Sequence, residues 1–363
     1  MSQSDFHPNK ARLVVIQRKQ FGYHTDSYKL ACYLKNDFDI TFVCFDGSQA
    51  RFEKQRIRVH YVDSRGHKFF RALRLIRSCV RVISEAQGAQ IFLVYFPFCS
   101  LVPIITRRKI TLDFRTGCVS RKWYARKAWD MLARVESFFF SRVSVISEGL
   151  RRNLRLRPAK SFVVPLGADV ISAVPKEFDI PRLFYIGTFN NRHLEQTLEG
   201  VSLFLQHYPE LRDELRYDIV GFGWRNEEEY LRQTAFRLGL KDNVHFHGQL
   251  SHEKALRFFD ECNIGVAYVP MTKYYDHQPP TKTYEYILSG MPVIATAITE
   301  NARIVHDGNG VLCDDTPDSF AQALSLCLSR FTEYESNVIR STLSDCTWMK
   351  IADQFRKQIF DGN

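Results

Sequence analysis

QPPTKTYEYILSGMPVIAT, residues Gln278 to Thr296, is the stretch whose reading decides the fold. Two prolines stiffen the approach, and a proline is well suited to open a helix because its fixed φ matches the first turn and its missing N–H is not needed there. The apolar positions that follow recur at helical spacing, and Gly290 ends the helix. Met291 and Pro292 then lead into an apolar run, Val293–Ala295, read as a strand. A helix feeding directly into a short buried strand is one step of an alternating α/β chain.

Working outward, the same alternation recurs. Before the quoted stretch lie strands at Leu183–Ile186, Tyr217–Val220, Val244–Phe246 and Ile264–Ala267, with helices at Leu194–His207 and Glu227–Leu238; Val311-Leu312 follows it. The first half repeats the scheme with strands at Arg12–Gln17, Ile40–Phe45, Val59–Val62, Ile91–Tyr95, Ile110–Leu112 and Arg142–Ile146, closed by Val163-Val164. Helical spacing falls at Thr25–Leu34, Trp123–Phe140 and Phe69–Ala86, the last with apolar positions at Leu73, Ile76, Val80 and Ile83. Pro175 and a run of charge interrupt the periodicity near Asp169–Asp179. The expected architecture is α/β: two doubly wound, Rossmann-like domains, residues 1–170 and 171–343, facing an interdomain cleft, plus a last helix at 344–363 that can pack outside its own domain.

Bulk properties narrow the function classes. The chain has 363 residues, 45% hydrophobic and 25% charged, the profile of a globular protein. No apolar run reaches the ~18 residues that a membrane span requires. The polar N-terminus lacks the apolar core of a secretory signal. Nine cysteines are scattered without a CxxC pair, which removes zinc and dithiol readings and predicts a reducing, cytoplasmic compartment. Charge is uneven: residues 1–170 carry 31 Lys+Arg against 13 Asp+Glu, whereas residues 171–363 carry 19 against 27. Such asymmetry predicts an anionic partner for the first half, or serves solubility alone. The basic positions Arg71, Arg74, Arg77, Arg81, Arg121, Lys122, Arg126 and Lys127 are not interleaved with stacking aromatics as in nucleic-acid modules, so no nucleic acid is expected. An anionic membrane surface reached through the basic N-terminal domain, on its inner face, is the expected partner.

Three groups of residues can carry chemistry. Glycines follow two strands: Gly187 after LFYI, and Gly221 and Gly223 after YDIV, where a missing side chain lets backbone approach a phosphate. A tight turn without a ligand fits those glycines equally well. At the quoted helix start, Pro280, Thr281 and Lys282 present backbone amides to an anion, and a lysine in a first turn opposes the helix dipole unless an anion sits there. Glu285, one turn on, can accept from both hydroxyls of a ribose. An ordinary amphipathic helix is the alternative. In the first half, Phe21-Gly22-Tyr23-His24 follows the first strand, and ITLDFRTG places Asp113, Arg115 and Thr116 at a strand's carboxyl end. There Asp113 can stabilise positive charge and Arg115 neutralise a phosphate, or the two simply pair.

PTKTYEYILSGMPVIAT, a spacer and IVHDGNGVLC together resemble the nucleotide-sugar signature of family 4 glycosyltransferases. YDIVGFG and LGLKDNVHFHGQLSHEKALRFFDECNIGVAYVP are similar to the same family's middle section, SVISEGLRRNL with VVPLGAD to the end of its N-terminal domain, and LFYIGTF to its first C-terminal strand. The likeness covers residues 140–315 well and the first 140 loosely. It implies the GT-B fold, a nucleotide-diphosphate sugar as co-substrate, retention of anomeric configuration, and neither metal nor cofactor. It also implies that the last helix crosses back to the N-terminal domain. Glu285 would hold the ribose, and Thr281, Lys282 and Gly187 the diphosphate. Arg192 lies near the family's basic phosphate residue, whereas the position directly after the glycine is Thr188. Backbone near Val244–Gly248 would meet the base. Gly22, Tyr23, His24, Asp113 and Thr116 would face the acceptor, and Asp113, Arg115, Lys282 and Glu285 would act in catalysis. The family often has a glutamate eight positions before Glu285; here that position is His277, next to Asp276. The implied reaction is transfer to a glycan or polyprenyl-linked acceptor in surface polysaccharide or lipopolysaccharide biosynthesis. A sugar-nucleotide epimerase and a non-catalytic nucleotide-sugar-binding protein are the alternatives.

Overall fold

In a computed structural model the described residues are 10–54, 56–118, 120, 122–224 and 226–360; Arg121 and residues 361–363 lie outside them. The chain forms two compact units, one of residues 1–166 with 348–363, the other of residues 167–347. The division falls at Leu166/Gly167 and Thr347/Trp348, four residues off each boundary read from the sequence.

The first unit runs β1 (Ala11–Ile16), α1 (Thr25–Leu34), β2 (Phe38–Asp46), β3 (Ile57–Asp63), α2 (Lys68–Glu85), β4 (Gln90–Val94), α3 (Leu101–Thr106), β5 (Thr111–Phe114), α4 (Trp123–Ser137), β6 (Arg142–Val145), α5 (Glu148–Asn153) and β7 (Ser161–Val163). The strands pair in parallel in the order β3-β2-β1-β4-β5-β6-β7. Near-continuous apolar runs such as LVVI and IFLV suit strands covered on both faces. The crossovers after β3, β4 and β5 all step the same way across the sheet, so right-handed connections put α2, α3 and α4 on one face and α1 on the other. Helix α2 is turned from the stripe its spacing predicts: Leu75, Ile76, Cys79, Val82 and Ile83 are buried, while Leu73 and Val80 are half-buried. Two overlapping apolar stripes exist on that helix, and packing on the sheet selects the wider one.

The second unit runs β8 (Arg182–Thr188), α6 (Glu195–His207), β9 (Arg216–Phe222), α7 (Glu227–Arg237), β10 (Val244–Phe246), α8 (His252–Glu261), β11 (Ile264–Ala267), α9 (Thr281–Leu288), β12 (Val293–Thr296), α10 (Thr299–Ala302), β13 (Gly310–Cys313), α11 (Pro317–Ser329) and α12 (Ser336–Ser341). Its parallel order is β10-β9-β8-β11-β12-β13. The last helix, α13 (Trp348–Phe360), belongs to the first unit and packs on α1. It starts at Trp348, because Ser344–Cys346 form a separate 3-10 turn. Its buried residues, Trp348, Ile351, Ala352, Phe355 and Ile359, follow helical spacing, and Phe355 meets Phe92 edge-on at 4.8 Å. Each of the large ones contributes about 2 kcal/mol of burial, which holds the chain end on this unit. All nine cysteines are free. No helix among the described residues is long and apolar enough to cross a membrane.

Candidate functional site

Helix α9 is built as the sequence motif requires. Pro280 holds the N-cap position in extended backbone, and the helix then buries Thr283, Tyr284, Tyr286, Ile287 and Leu288. The Ile186 amide donates to the Tyr286 hydroxyl at 3.0 Å, and the Thr283 hydroxyl donates to Asn301 Oδ1 at 3.0 Å. With that face fixed against β8 and α10, Thr281, Lys282 and Glu285 are left together on the face that is only half-buried. The first amides of the helix point out of the same end.

Lys282 is the unusual residue of the group. Its ammonium nitrogen is buried and has no hydrogen-bond partner, although the residue as a whole is only half-buried. It sits 3.6 Å from the centre of the Tyr185 ring, and a Cβ added to Gly187 would lie 3.4 Å from it. Burial, and next the Arg192 guanidinium, push its proton affinity well below the ordinary lysine range; Glu285 partly opposes them. Arg192 itself lies over the Tyr275 ring at 4.6 Å. Two cations therefore converge at a helix N-terminus, one of them desolvated without an acceptor, which is the arrangement a bound anion would complete.

The glycines divide into two kinds. Gly187 pairs with Gly221 across β8 and β9, and a Cβ on Gly221 would overlap the Gly187 carbonyl oxygen. Gly221 thus serves strand contact, and its amide donates to the Gly248 carbonyl at 2.9 Å. At Gly223 a Cβ would strike the Glu227 side chain. Gly187 is the one whose open side faces Lys282. Within the segment Val244–Gly248, Val244 is level with Tyr217 and Leu183, four residues before Gly187, or about 13 Å along the sheet. It is buried at the far end of β10, and Gly248 is the residue of that segment at the site end.

Asp276 is already engaged: its carboxylate accepts from the Thr299 amide at 2.8 Å and the Thr299 hydroxyl at 2.9 Å. His277 Nδ1 lies 3.4 Å from Asp276, and both side chains are half-buried. Thr188 is exposed at the end of β8, and its carbonyl accepts from the Tyr185 hydroxyl at 2.8 Å.

In the first unit the expectation that Asp113 meets a substrate gives way. Asp113 has no exposed surface; Arg115 Nε donates to it at 2.8 Å and the Ser144 hydroxyl at 2.6 Å. Arg115 is also buried, donates to the Val164 carbonyl at 2.9 Å and lies 3.7 Å from Asp26. Both carboxyls are raised above the ordinary range by burial, against the pull of Arg115. The pair is therefore a strut beneath the first-strand loop, in which Arg115 Nε and Nη1 are engaged while the buried Nη2 has no hydrogen-bond partner. On that loop Gly22 has φ +93°, and a Cβ there would strike the Phe52 ring. Tyr23 donates to the Ala50 carbonyl at 3.2 Å. His24 caps α1 by accepting from the Ser27 amide, and burial first, then Lys19 and Arg115, push it down to about 4. Thr116 donates to the Gly117 carbonyl at 3.1 Å. The sequence reading missed Tyr185 and Tyr275, which carry the two cations, because an aromatic inside LFYI or YYDH reads equally well as core or surface.

Residues 180–330 match the family Glycosyl transferases group 1. The chain carries a group 1 glycosyltransferase domain. That domain is a transferase's, and it contains α9, Lys282, Arg192 and Gly187. No curated protein matches the sequence significantly. Among solved structures, the apo form of the lipopolysaccharide outer core galactosyltransferase WaaB is similar at TM-score 0.71 with 15% identity, covering 97% of this chain and 100% of its own. A glycosyltransferase from Rickettsia africae is similar at TM-score 0.76 with 14% identity, covering 98% and 100%. Anabaena HepE in complex with UDP is similar at TM-score 0.74 with 14% identity, covering 96% and 100%. At such identities the likeness establishes the fold, which is GT-B for a glycosyltransferase domain joined to a second Rossmann-like unit.

Proposed function

We propose that the protein is a retaining glycosyltransferase that moves a sugar from a nucleotide-diphosphate sugar to a glycan or polyprenyl-linked acceptor in surface polysaccharide or lipopolysaccharide assembly. The observation that carries the reading is the buried, acceptor-less ammonium of Lys282 beside Arg192 and Gly187 at the start of α9. A diphosphate there would receive the first amides of α9, Lys282 and Arg192. As the glycosidic bond breaks, its electron pair goes to the diphosphate oxygen, and these groups neutralise the growing charge without a metal. Glu285, one turn along the same face, would accept from the ribose hydroxyls, and His277 would lie toward the sugar, since Asp276 is engaged by Thr299. UDP is bound by the structurally similar HepE, and WaaB acts on the lipopolysaccharide outer core, which favours the substrate classes named. In the first unit His24 and Thr116 would border the acceptor, with Asp113 and Arg115 acting only through the loop they support. A thermal-shift panel of nucleotide sugars tests the donor side: one donor should raise the melting temperature of the wild-type chain and not of Lys282→Met. A flat response across the panel would overturn the reading.

A further inference from the structure

Helix α4 turns only part of its apolar surface inward, with Trp129 half-buried edge-on to Tyr95 at 5.1 Å and Leu132 half-buried. A helix covering a parallel sheet should bury its large apolar side chains. Here the residues buried are Ala133, Glu136 and Ser137. Trp123, Tyr124, Met131, Val135, Phe138 and Phe139, on the helix and just past its end, are exposed, Met131 by 66% and Trp123 by 61%. Tyr124, Ala128, Met131, Val135 and Phe138 follow a four-three spacing, so they form one outward stripe about 20 Å long.

Apolar side chains are exposed at α3 too. Glu136 reaches inward and accepts from the Phe98 and Ser100 amides at 3.1 and 3.0 Å, from the Ser100 hydroxyl at 2.9 Å and from the Tyr95 hydroxyl at 3.0 Å. These bonds fix the loop into α3, where Phe98 is held at φ +68° and is 60% exposed. A non-glycine residue in that conformation is strained, and the buried carboxylate holds it there. Leu101, Ile104 and Ile105 of α3 are exposed as well.

Cations surround this apolar face. Lys127 lies over the Trp123 ring at 4.9 Å and Arg157 over the Phe138 ring at 4.9 Å. Beyond the ends of α3 and α4, where the Ser141 amide and hydroxyl both donate to the Ile110 carbonyl, Arg107, Arg108, Lys109 and Arg142 line a cavity of about 780 Å³. Aromatic and aliphatic side chains beside lysines and arginines, with a cationic cavity in the same unit, match an interfacial helix on anionic lipid. A second copy fits poorly, because it would bring two cationic rims together.

We infer that the outward faces of α3 and α4 dock the protein on an anionic phospholipid surface, with the Arg107–Lys109 and Arg142 cavity taking a lipid phosphate. This deepens the acceptor half of the proposed function, since it would bring a lipid-linked acceptor to the enzyme. Vesicle binding needs no donor, so the two readings can fail separately. The test is sedimentation of the full chain with vesicles of phosphatidylglycerol in phosphatidylcholine against phosphatidylcholine alone, at 0.15 M salt. Binding should require the anionic lipid and weaken in high salt. Met131→Glu with Val135→Glu should cut the partition coefficient at least tenfold, and Lys127→Glu about fivefold. Leu326→Glu, an exposed apolar position on α11 of the other unit, should leave it unchanged. Equal partition to neutral and anionic vesicles would overturn the inference. So would wild-type partition in both charge-bearing variants, or a concentration-dependent dimer that α4 substitution abolishes without any vesicle binding.

Discussion

Lys282→Met separates a lysine kept for a ligand from one kept for the fold. The substitution preserves the apolar stem and removes the charge. In the donor-free protein the ammonium is buried without an acceptor and beside a second cation. Desolvating such a group costs several kcal/mol. The Tyr185 face, 3.6 Å away, offsets about 2 kcal/mol of that, and the lowered proton affinity allows part of the charge to be shed. Removing it should therefore stabilise the second unit by about 1–2 kcal/mol, a rise of roughly 3–6 °C in Tm for a domain of this size. Turnover should move the other way, by about 10²- to 10³-fold, because a preorganised charge at the leaving diphosphate is lost. Calorimetry and nucleoside diphosphate release on the same preparation read both effects. A variant that melts lower and turns over normally would refute the reasoning. The pH dependence follows with a definite sign. The protonated lysine is the useful form, so kcat/KM of the wild type should fall as pH rises through a pKa below the ordinary lysine value, and Lys282→Met should lose that limb.

Further outcomes follow from other residues. Glu285→Gln should raise the donor KM more than it lowers kcat, because ribose contacts are made equally in ground and transition states; titration with the free nucleoside diphosphate checks this. Gly221→Ala should destabilise by about 3 kcal/mol or prevent folding, since its Cβ overlaps the Gly187 carbonyl, whereas Gly239→Ala, with open space around it, should cost far less; denaturant midpoints separate the two. His24 is held neutral, so the unfolded chain binds a proton that the folded chain lacks between the ordinary value near 6.5 and about 4. Its contribution is present above pH 6.5 and is lost as pH falls toward 4, by about 2 kcal/mol after allowing for partial exposure. Relative to His24→Asn, which retains a helix cap, the wild type should lose that much over the window.

What the sequence made legible and what it did not have physical reasons. Helix α1 is legible with its bounds, and α9 with its start and stop, because proline, glycine and apolar spacing act locally. The strands were legible as apolar runs between glycines and charges. Register was not: Val244 lies on the expected strand, but only its pairing with Tyr217 shows which end of the segment Val244–Gly248 is level with Gly187. The Asp113–Arg115 pair was one of two readings, and only burial on both sides decides for it. Helix α4 shows the limit most clearly. Its amphipathic spacing is visible in the sequence, but spacing does not say which face the sheet receives. Glu136, which would read as a solvent-facing charge, is the residue that points in.

The start of α9, proposed as a diphosphate site working in sugar transfer, can be tested on the reaction itself. The most direct measurement is nucleoside diphosphate release by the full chain from a panel of nucleotide sugars, with and without a polyprenyl-linked or lipopolysaccharide-type acceptor. Release should occur from one donor, depend on acceptor and disappear in Lys282→Met. Conversion of the donor without acceptor, or wild-type release by Lys282→Met, would contradict it.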